Sequence, residues 1–316
     1  MDSAIRDYRV FFAEGIAGHG GISPAMLSLR RFTLRGSEYL LVLDTESLRT
    51  SIIPFAPGNW KESDLESLLK SGAHSSYARA MTLASGSSKR IYNAGYTRLN
   101  LPGKGFALTA DLCPSRLPMD RRTFTAPLES FPAAMRPLPV AVAITGKWIG
   151  NHGSDLRWLL SMEKDGLLSI TWMNHSYNHW ARKSTEAVNN FLLRPGTDFS
   201  QEILETEIRM IESGITPTVF FRFPGLCSGG RVFMKIRSFG LMPVGSDSWL
   251  AKNQWPKTGS IVLVHGNGNE PEGIHRLLLL LQKRKSEIAS GELRLMDLRE
   301  GIISTASGLP SAEKRK

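Results

Sequence analysis

Two histidines four residues apart, His175 and His179 in Asn174-His-Ser-Tyr-Asn-His179, are the strongest local signal for chemistry in this chain. On a turn of helix, side chains at i and i+4 share one face, so both imidazoles can reach a single metal ion. Neutral imidazole suits zinc and its borderline neighbours. Other ionisable residues recur at one kind of place. Asp111, His175, Arg222, Asp247 and His265 each stand at, or just after, the end of a run that reads as a strand. They are far apart in sequence, so only the fold can gather them.

The elements that must do so begin near Gly105, where strand and helix patterns alternate. Phe106–Ala110 is an apolar strand ending at Asp111, and Pro139–Thr145 is a buried one. Asp155–Lys164 is amphipathic behind Ser154, a good helix cap. Leu168–Met173 runs into Asn174-His175, and Phe199–Glu212 is a helix closed by Ser213-Gly214. Thr216–Phe221 ends at Arg222, Val232–Phe239 is a helix closed by Gly240, and Met242–Gly245 leads to Asp247. Ser260–Val264 ends at His265, Glu272–Ile288 is a long helix, and Leu293–Met296 precedes Asp297, a cap for a final helix. Such a series builds a parallel sheet, either doubly wound or a (β/α) barrel. In both, the C-terminal strand ends gather on one face, where active sites form.

Residues 1–100 differ in texture: short strands and loops (Glu38–Leu43 and Ser51–Pro54 as strands), one short helix at Asp64–Lys70 and a loop at Ser85–Arg90. This half carries no motif that translates into chemistry.

The chain has 316 residues, 41% hydrophobic and 22% charged, which excludes a disordered protein. The apolar run Leu277–Leu281 is far too short to span a membrane, and Val10–Ala13 is too short for a signal-peptide core. A net charge of +10 and a pI near 9.7 would attract nucleic acid, anionic lipid headgroups or anionic cell-wall polymers. The basic residues are nevertheless scattered in short groups such as Arg30-Arg31, Arg121-Arg122 and Lys283-Arg284-Lys285, the pattern of a solvated surface. No zinc-finger spacing or aromatic-basic signature accompanies them, so nucleic acid is not the expected partner. Only two cysteines, Cys113 and Cys227, exclude a disulfide framework and a cysteine-rich zinc site.

His175-Ser-Tyr-Asn-His179 resembles the H-[S/T]-x-x-H motif of the NodB-type polysaccharide deacetylases, carbohydrate esterase family 4. Further pieces follow in that family's order. Leu108-Thr-Ala-Asp111 resembles its T-F-D-D motif, and Ala143-Ile-Thr-Gly-Lys-Trp148 the strand and turn after it. Phe221-Arg-Phe-Pro-Gly225 resembles R-x-P-[G/Y], Asp247-Ser-Trp249 a reduced D-x-x-W, and Ile261-Val-Leu-Val-His265 the final I-x-L-x-H. The match spans about residues 105 to 305. It implies an α/β fold: a distorted parallel (β/α) barrel at 101–308, preceded by a small β-rich region at 1–100 and followed by a flexible basic tail at 309–316.

The implied activity is hydrolysis of a carbon–nitrogen bond other than a peptide bond: removal of an acetyl group, N-acetyl rather than O-acetyl, from an acetylated glycan. The implied cofactor is a divalent metal ion, Zn2+, on His175, His179 and Asp111. The metal would polarise the acetyl carbonyl and lower the pKa of water. Asp111 would act as base, and His265 would protonate the leaving group. Arg222 would orient Asp111, and Asp247 would hold His265 in its working tautomer and raise its pKa. Tyr177, Trp180, Pro224 and Trp249 would line the substrate site.

The first motif is incomplete. The family's second aspartate, a metal ligand, is here Leu112. The third ligand is left open between Asp111 itself, a nearby acid such as Asp120, and water; if Asp111 ligates, the base is unassigned. Cys113 and Cys227 flank two motifs that the implied barrel brings to one face. A disulfide between them would brace the altered motif and imply an oxidising compartment, periplasm or cell envelope. The alternative is two buried thiols, with the cytoplasm as location. Trp158 and Trp172 are expected in the core, and His152 and His275 at the surface or at helix caps. Three rival readings stand beside the deacetylase: a degenerate member that binds glycans without hydrolysing them, a hydrolase of a non-sugar C–N bond such as a cyclic imide, and an anionic-polymer binder.

Overall fold

Alternating apolar and polar residues near the N-terminus build an antiparallel sheet of five strands. These are β1 (Ile5–Gly15), β2 (Met26–Leu34), β3 (Ser37–Asp44), β4 (Thr50–Pro54) and β5 (Trp60–Glu62), in the order β4-β3-β2-β1-β5. Arg35 and Gly36, both at positive φ (51° and 84°), make the tight turn between β2 and β3. The computed structural model describes residues 4–16, 23, 25–182, 186 and 189–308. The tail expected at 309–316 lies outside the described residues.

Two helices follow, α1 (Leu65–Ser71) and α2 (Ser76–Ser85). Each is opened by a side-chain cap: Asp64 accepts from the Ser67 amide, and Ser75 from that of Ala78. The second helix corrects the reading of this region as strands and loops with one short helix. Its buried face is Tyr77, Ala78, Ala80, Met81 and Ala84, mostly small residues that give a weak helical period.

The rest of the chain is the expected parallel architecture. The strands are β6 (Lys104–Leu112), β7 (Leu138–Ile144), β8 (Leu168–Asn174), β9 (Phe220–Phe221), β10 (Met242–Pro243), β11 (Ser248–Trp249), β12 (Ile261–His265) and β13 (Leu293–Leu295). They run β10-β9-β8-β7-β6-β12-β11, with β13 on β6, and every pairing is parallel. Among the described residues no pairing joins β10 to β11, so the barrel is distorted and open. The segment before β6 reaches this region: Tyr96 pairs with Val244 and Arg98 with Ser260. The helices are α3 (Arg122–Ser130), α4 (Gly146–Asn151), α5 (Gly153–Lys164), α6 (Phe199–Glu212), α7 (Gly230–Arg237), α8 (Pro271–Lys283), α9 (Lys285–Ala289) and α10 (Leu298–Ser307). No helix among the described residues is long and apolar enough to cross a membrane.

Strand parity sorts the side chains into two cores. Phe106, Leu108, Ala110 and Leu112 of β6, with Val140, Val142 and Ile144 of β7, pack with Phe124 of α3, Leu159 of α5 and Leu277 of α8. The opposite face carries Ala107, Ala141 and Ala143. Their core continues without interruption into the N-terminal region, through Leu27, Leu29, Tyr77 and Met81. The two halves therefore share one interior.

Several boundaries differ from expectation for local reasons. The strand expected at Thr216–Phe221 is only two residues long, because Pro217 has no N–H and the Thr218 hydroxyl bonds the Trp172 carbonyl instead. The helix expected over 272–288 is interrupted at Arg284. Helices α3 and α4 were not anticipated; α3 holds Pro127 inside it, and α4 is six residues long. Asp297 does cap the final helix, accepting from Glu300.

Candidate active site

The strand register brings the proposed residues level. Asp111 pairs with Ala143 on β7 and His265 on β12, and Ala143 pairs with Met173 on β8. Asn174 pairs with Phe221, so His175 and Arg222 each follow one residue beyond that rung. Asp111, His175, Arg222 and His265 thus meet at the C-terminal end of the sheet.

Parity then decides which neighbour of Asp111 joins them. Successive strand side chains point to opposite faces. Leu112 faces the helix-side core and is fully buried there. Cys113, two residues beyond Asp111, turns back to the site. Its Sγ, a His175 ring nitrogen and a His179 ring nitrogen all lie within 4.8 Å of one another, and Sγ is 3.5 Å from His175 Nε2. Asn267, fully buried, donates to the Cys113 carbonyl at 3.0 Å and pins its backbone. Both cysteines are free, so the expected Cys113–Cys227 disulfide is corrected. The argument for an oxidising compartment loses its ground with it. Cys227 makes its own contact, Sγ to the Gly225 carbonyl, and burial pushes its thiol up to about 11.

His175 and His179 converge, but not on a helical turn. Ser176 and His179 have φ of 67° and 46°, and the Ser176 amide bonds the Asn174 side chain in a tight turn. Glu202 of α6 holds the loop, accepting from the amides of Tyr177 and Asn178 and from the Asn178 side chain. His175 Nδ1 lies 2.8 Å from the Arg222 carbonyl, which can only accept, so Nδ1 carries the proton and Nε2 presents its lone pair toward Cys113 Sγ. Burial pushes this imidazole below its ordinary value, against the pull of Asp111, and keeps it neutral. His179 Nε2 is buried without a partner among the described residues. For Cys113, burial raises the thiol, but His179 and His265 outweigh it and bring it down to about 7. A buried orphan nitrogen, a tautomer held by a carbonyl and an acidified thiol together fit a divalent metal.

Asp111 lies 3.6 Å from His175 Nε2 and, through its other oxygen, 3.6 Å from Arg222 Nη1. Arg222 is fully buried and donates to Thr109 Oγ1 at 3.0 Å. Asp120, the alternative ligand, is paired with Arg122 outside the cluster. Asp247 also takes a different part from the one expected. It binds Arg98 at 2.7 Å and the Ile261 amide at 3.2 Å, joining the segment before β6 to the sheet. The carboxylate on His265 is Glu270, whose Oε2 is 2.7 Å from Nδ1. Burial opposes the charge on His265, but Cys113 and Glu270 outweigh it and hold the imidazolium well above its ordinary range.

An open cleft of about 520 Å³ reaches the cluster, lined by Cys113, His179, Trp180, Trp249, His265 and Glu270 among others. Trp249 is committed: its Nε1 donates to Glu270 at 2.8 Å and Lys252 Nζ sits 3.5 Å above its ring. Trp180 carries the Arg194 guanidinium at 4.7 Å. Tyr177 does not line the cleft; its ring lies against Gly146, where an added Cβ would come within 2.1 Å. Pro224 is buried, and its neighbour Gly225 lines the cleft instead. Trp172 is in the core as expected, whereas Trp158 is only partly buried at its edge. His152 stands at the N-cap position of α5 without a side-chain capping bond; it is buried, not exposed, stacked on Trp148 with Nε2 at 2.9 Å from the Ser115 carbonyl. Sequence reasoning missed Cys113 as a candidate ligand, although its i+2 spacing from Asp111 signalled it. Glu270 and Glu202 had no such local signal.

No protein-family model matches the sequence. Among solved structures, the chain is similar to a family 4 carbohydrate esterase from Bacillus anthracis, with 16% identity over 71% of this chain and 91% of that one, at a TM-score of 0.48. A family 4 carbohydrate esterase from Streptomyces lividans in complex with acetate gives 16% identity, 64% and 96% coverage and a TM-score of 0.44. A family 4 pseudoenzyme from Bacillus anthracis gives 15% identity, 66% and 68% coverage and a TM-score of 0.45. The solved structures this chain is similar to include family 4 carbohydrate esterases, with pseudoenzyme members among them.

Proposed function

We propose that this chain is a hydrolase that removes an acetyl group from a saccharide, with a divalent metal on Cys113, His175 and His179. The observation that carries the reading is the convergence of those three donors beside Asp111 and the His265–Glu270 pair. One thiolate and two imidazoles suit zinc, which when bound would polarise the acyl carbonyl and acidify water. With Cys113 as third donor, Asp111 is released from ligation and can serve as base. Its Oδ1 is buried without a hydrogen bond among the described residues, and Arg222 stabilises its charge. Glu270 orders His265, leaving Nε2 to give a proton to the leaving group. A well-held imidazolium matters most for an amine, a poor leaving group unless protonated, which favours an N-acetyl substrate.

The test is acetate release from acetylated oligosaccharides, before and after chelation and zinc replacement. Release that disappears with chelation and returns with zinc supports the reading. Metal binding without release would favour a glycan-binding protein, and release only from cyclic imides a non-sugar hydrolase. A second reading rests on Cys113 and His265 lining one cleft with their charges coupled and Glu270 behind His265, the order of a thiol–imidazole–carboxylate triad. Chelator-insensitive activity abolished by iodoacetamide would select it.

Glu270 and Asp247 separate kinetically. Glu270→Gln should lower kcat about 10- to 100-fold with little change in KM, because His265 loses its orienting carboxylate. Asp247→Asn should leave kcat within about twofold and lower thermal stability instead, because it loosens the Arg98 contact. Equal kcat losses would return Asp247 to the catalytic machinery.

A further inference from the structure

Beside the cleft, on the other side of the turn at Phe191–Leu193, lies a basic groove of about 770 Å³. Phe191 lines the cleft and Leu192 the groove. Trp180 lines the cleft, and the Arg194 guanidinium stacked on it lines the groove, so one wall serves both. Arg231 and Lys235 of α7 complete the groove, over a floor that includes Phe199 and Val232.

The charges are unbalanced there. What sets Arg194, Arg231 and Lys235 apart is their convergence on one concave wall beside the cleft; other surface cations, such as Arg98 with Asp247 and Arg122 with Asp120, stand beside carboxylates or apart from any cavity wall shared with the cleft. Among the described residues, Arg194, Arg231 and Lys235 have no carboxylate within 4.0 Å, and no acidic residue lines the groove. Cations gathered on one concave surface repel one another, and an anion laid between them relieves that repulsion.

The geometry points to an acidic polysaccharide as substrate. One sugar enters the cleft, and the carboxylates of the sugars that follow lie on Arg194, Arg231 and Lys235. This deepens the saccharide-hydrolase reading and rests on it.

The test uses a short oligogalacturonate and its carboxyl-reduced, neutral counterpart. Binding is measured by calorimetry to the zinc-loaded protein and to Arg231→Glu/Lys235→Glu, whose melting temperature checks its fold. The wild type should prefer the acidic oligomer, with an affinity that falls as salt rises. The double variant should bind the acidic oligomer about tenfold more weakly and the neutral one unchanged. Equal wild-type affinity for both oligomers, or no loss in the variant, overturns the proposal. So does an equal loss for duplex DNA, which would make the groove a general polyanion site. Acetate release from acetylated oligosaccharides by the zinc-loaded wild type is read separately: its absence with charge-dependent binding intact would sink the hydrolase reading and leave the groove standing.

Discussion

Cys113→Ala should fold but no longer retain a divalent metal. Wild type should purify with about one equivalent, and the variant with less than about a tenth of that. Loss of one donor in three is expected to weaken affinity by about 100-fold or more, since even supporting residues of metal sites contribute 10- to 100-fold. Metal-dependent acetate release should fall in step. His175→Ala and His179→Ala should behave alike, because each removes a donor from the same cluster. Cobalt substitution gives an independent signature: a thiolate-to-metal charge-transfer band present in wild type and absent in Cys113→Ser. Adding Leu112→Asp to Cys113→Ala should not restore the metal, although it completes the aspartate pair of the first motif. Residue 112 is fully buried among Phe124, Val142 and other helix-side residues. A carboxylate there is unpaired and faces away from the histidines, at a cost of about 3–5 kcal/mol of stability. A Cys113→Ala protein that keeps its metal, or a double variant that regains it, would refute the ligand assignment.

Arg30→Met should destabilise the whole protein by about 3–5 kcal/mol in urea unfolding. Arg30 of β2 and Glu207 of α6 form a buried two-point ion pair, at 2.7 and 2.9 Å, with 0% and 1% of their side chains exposed. Arg30 Nη1 also donates to the carbonyls of Leu29 and Phe239, and Tyr8 donates to Glu207. Removing the arginine strands a carboxylate and two carbonyls in the interior. Removing both charges, as in Arg30→Met/Glu207→Leu, should recover much of the loss, because no lone ion remains. The consequence reaches the site. Helix α6 carries Glu207 into the N-terminal sheet's contact and Glu202 into the loop holding His179. Arg30→Met should therefore also weaken metal affinity, measurably less than Cys113→Ala does. A stability change under about 1 kcal/mol would show that the pair contributes nothing net.

Composition and local period were enough to place Asp111, His175, Arg222 and His265 at strand ends, and a parallel sheet then gathers those ends without any knowledge of distant contacts. The same period contained the choice of Cys113 over Leu112, since two residues along a strand return to the same face. What only the tertiary structure decided is which polar group answers which. His265 takes Glu270 and not Asp247, because the loop after β12 folds back while Arg98 captures Asp247. Cys113 turns to the histidines and not to Cys227, because its backbone is fixed by Asn267, 154 residues away. His175 and His179 meet across a turn with two left-handed residues, a conformation that no helical spacing foretells. Periodicity is a property of a few neighbouring residues. Partner choice depends on loop paths and buried charges from remote segments, and it is settled only when the whole chain has packed.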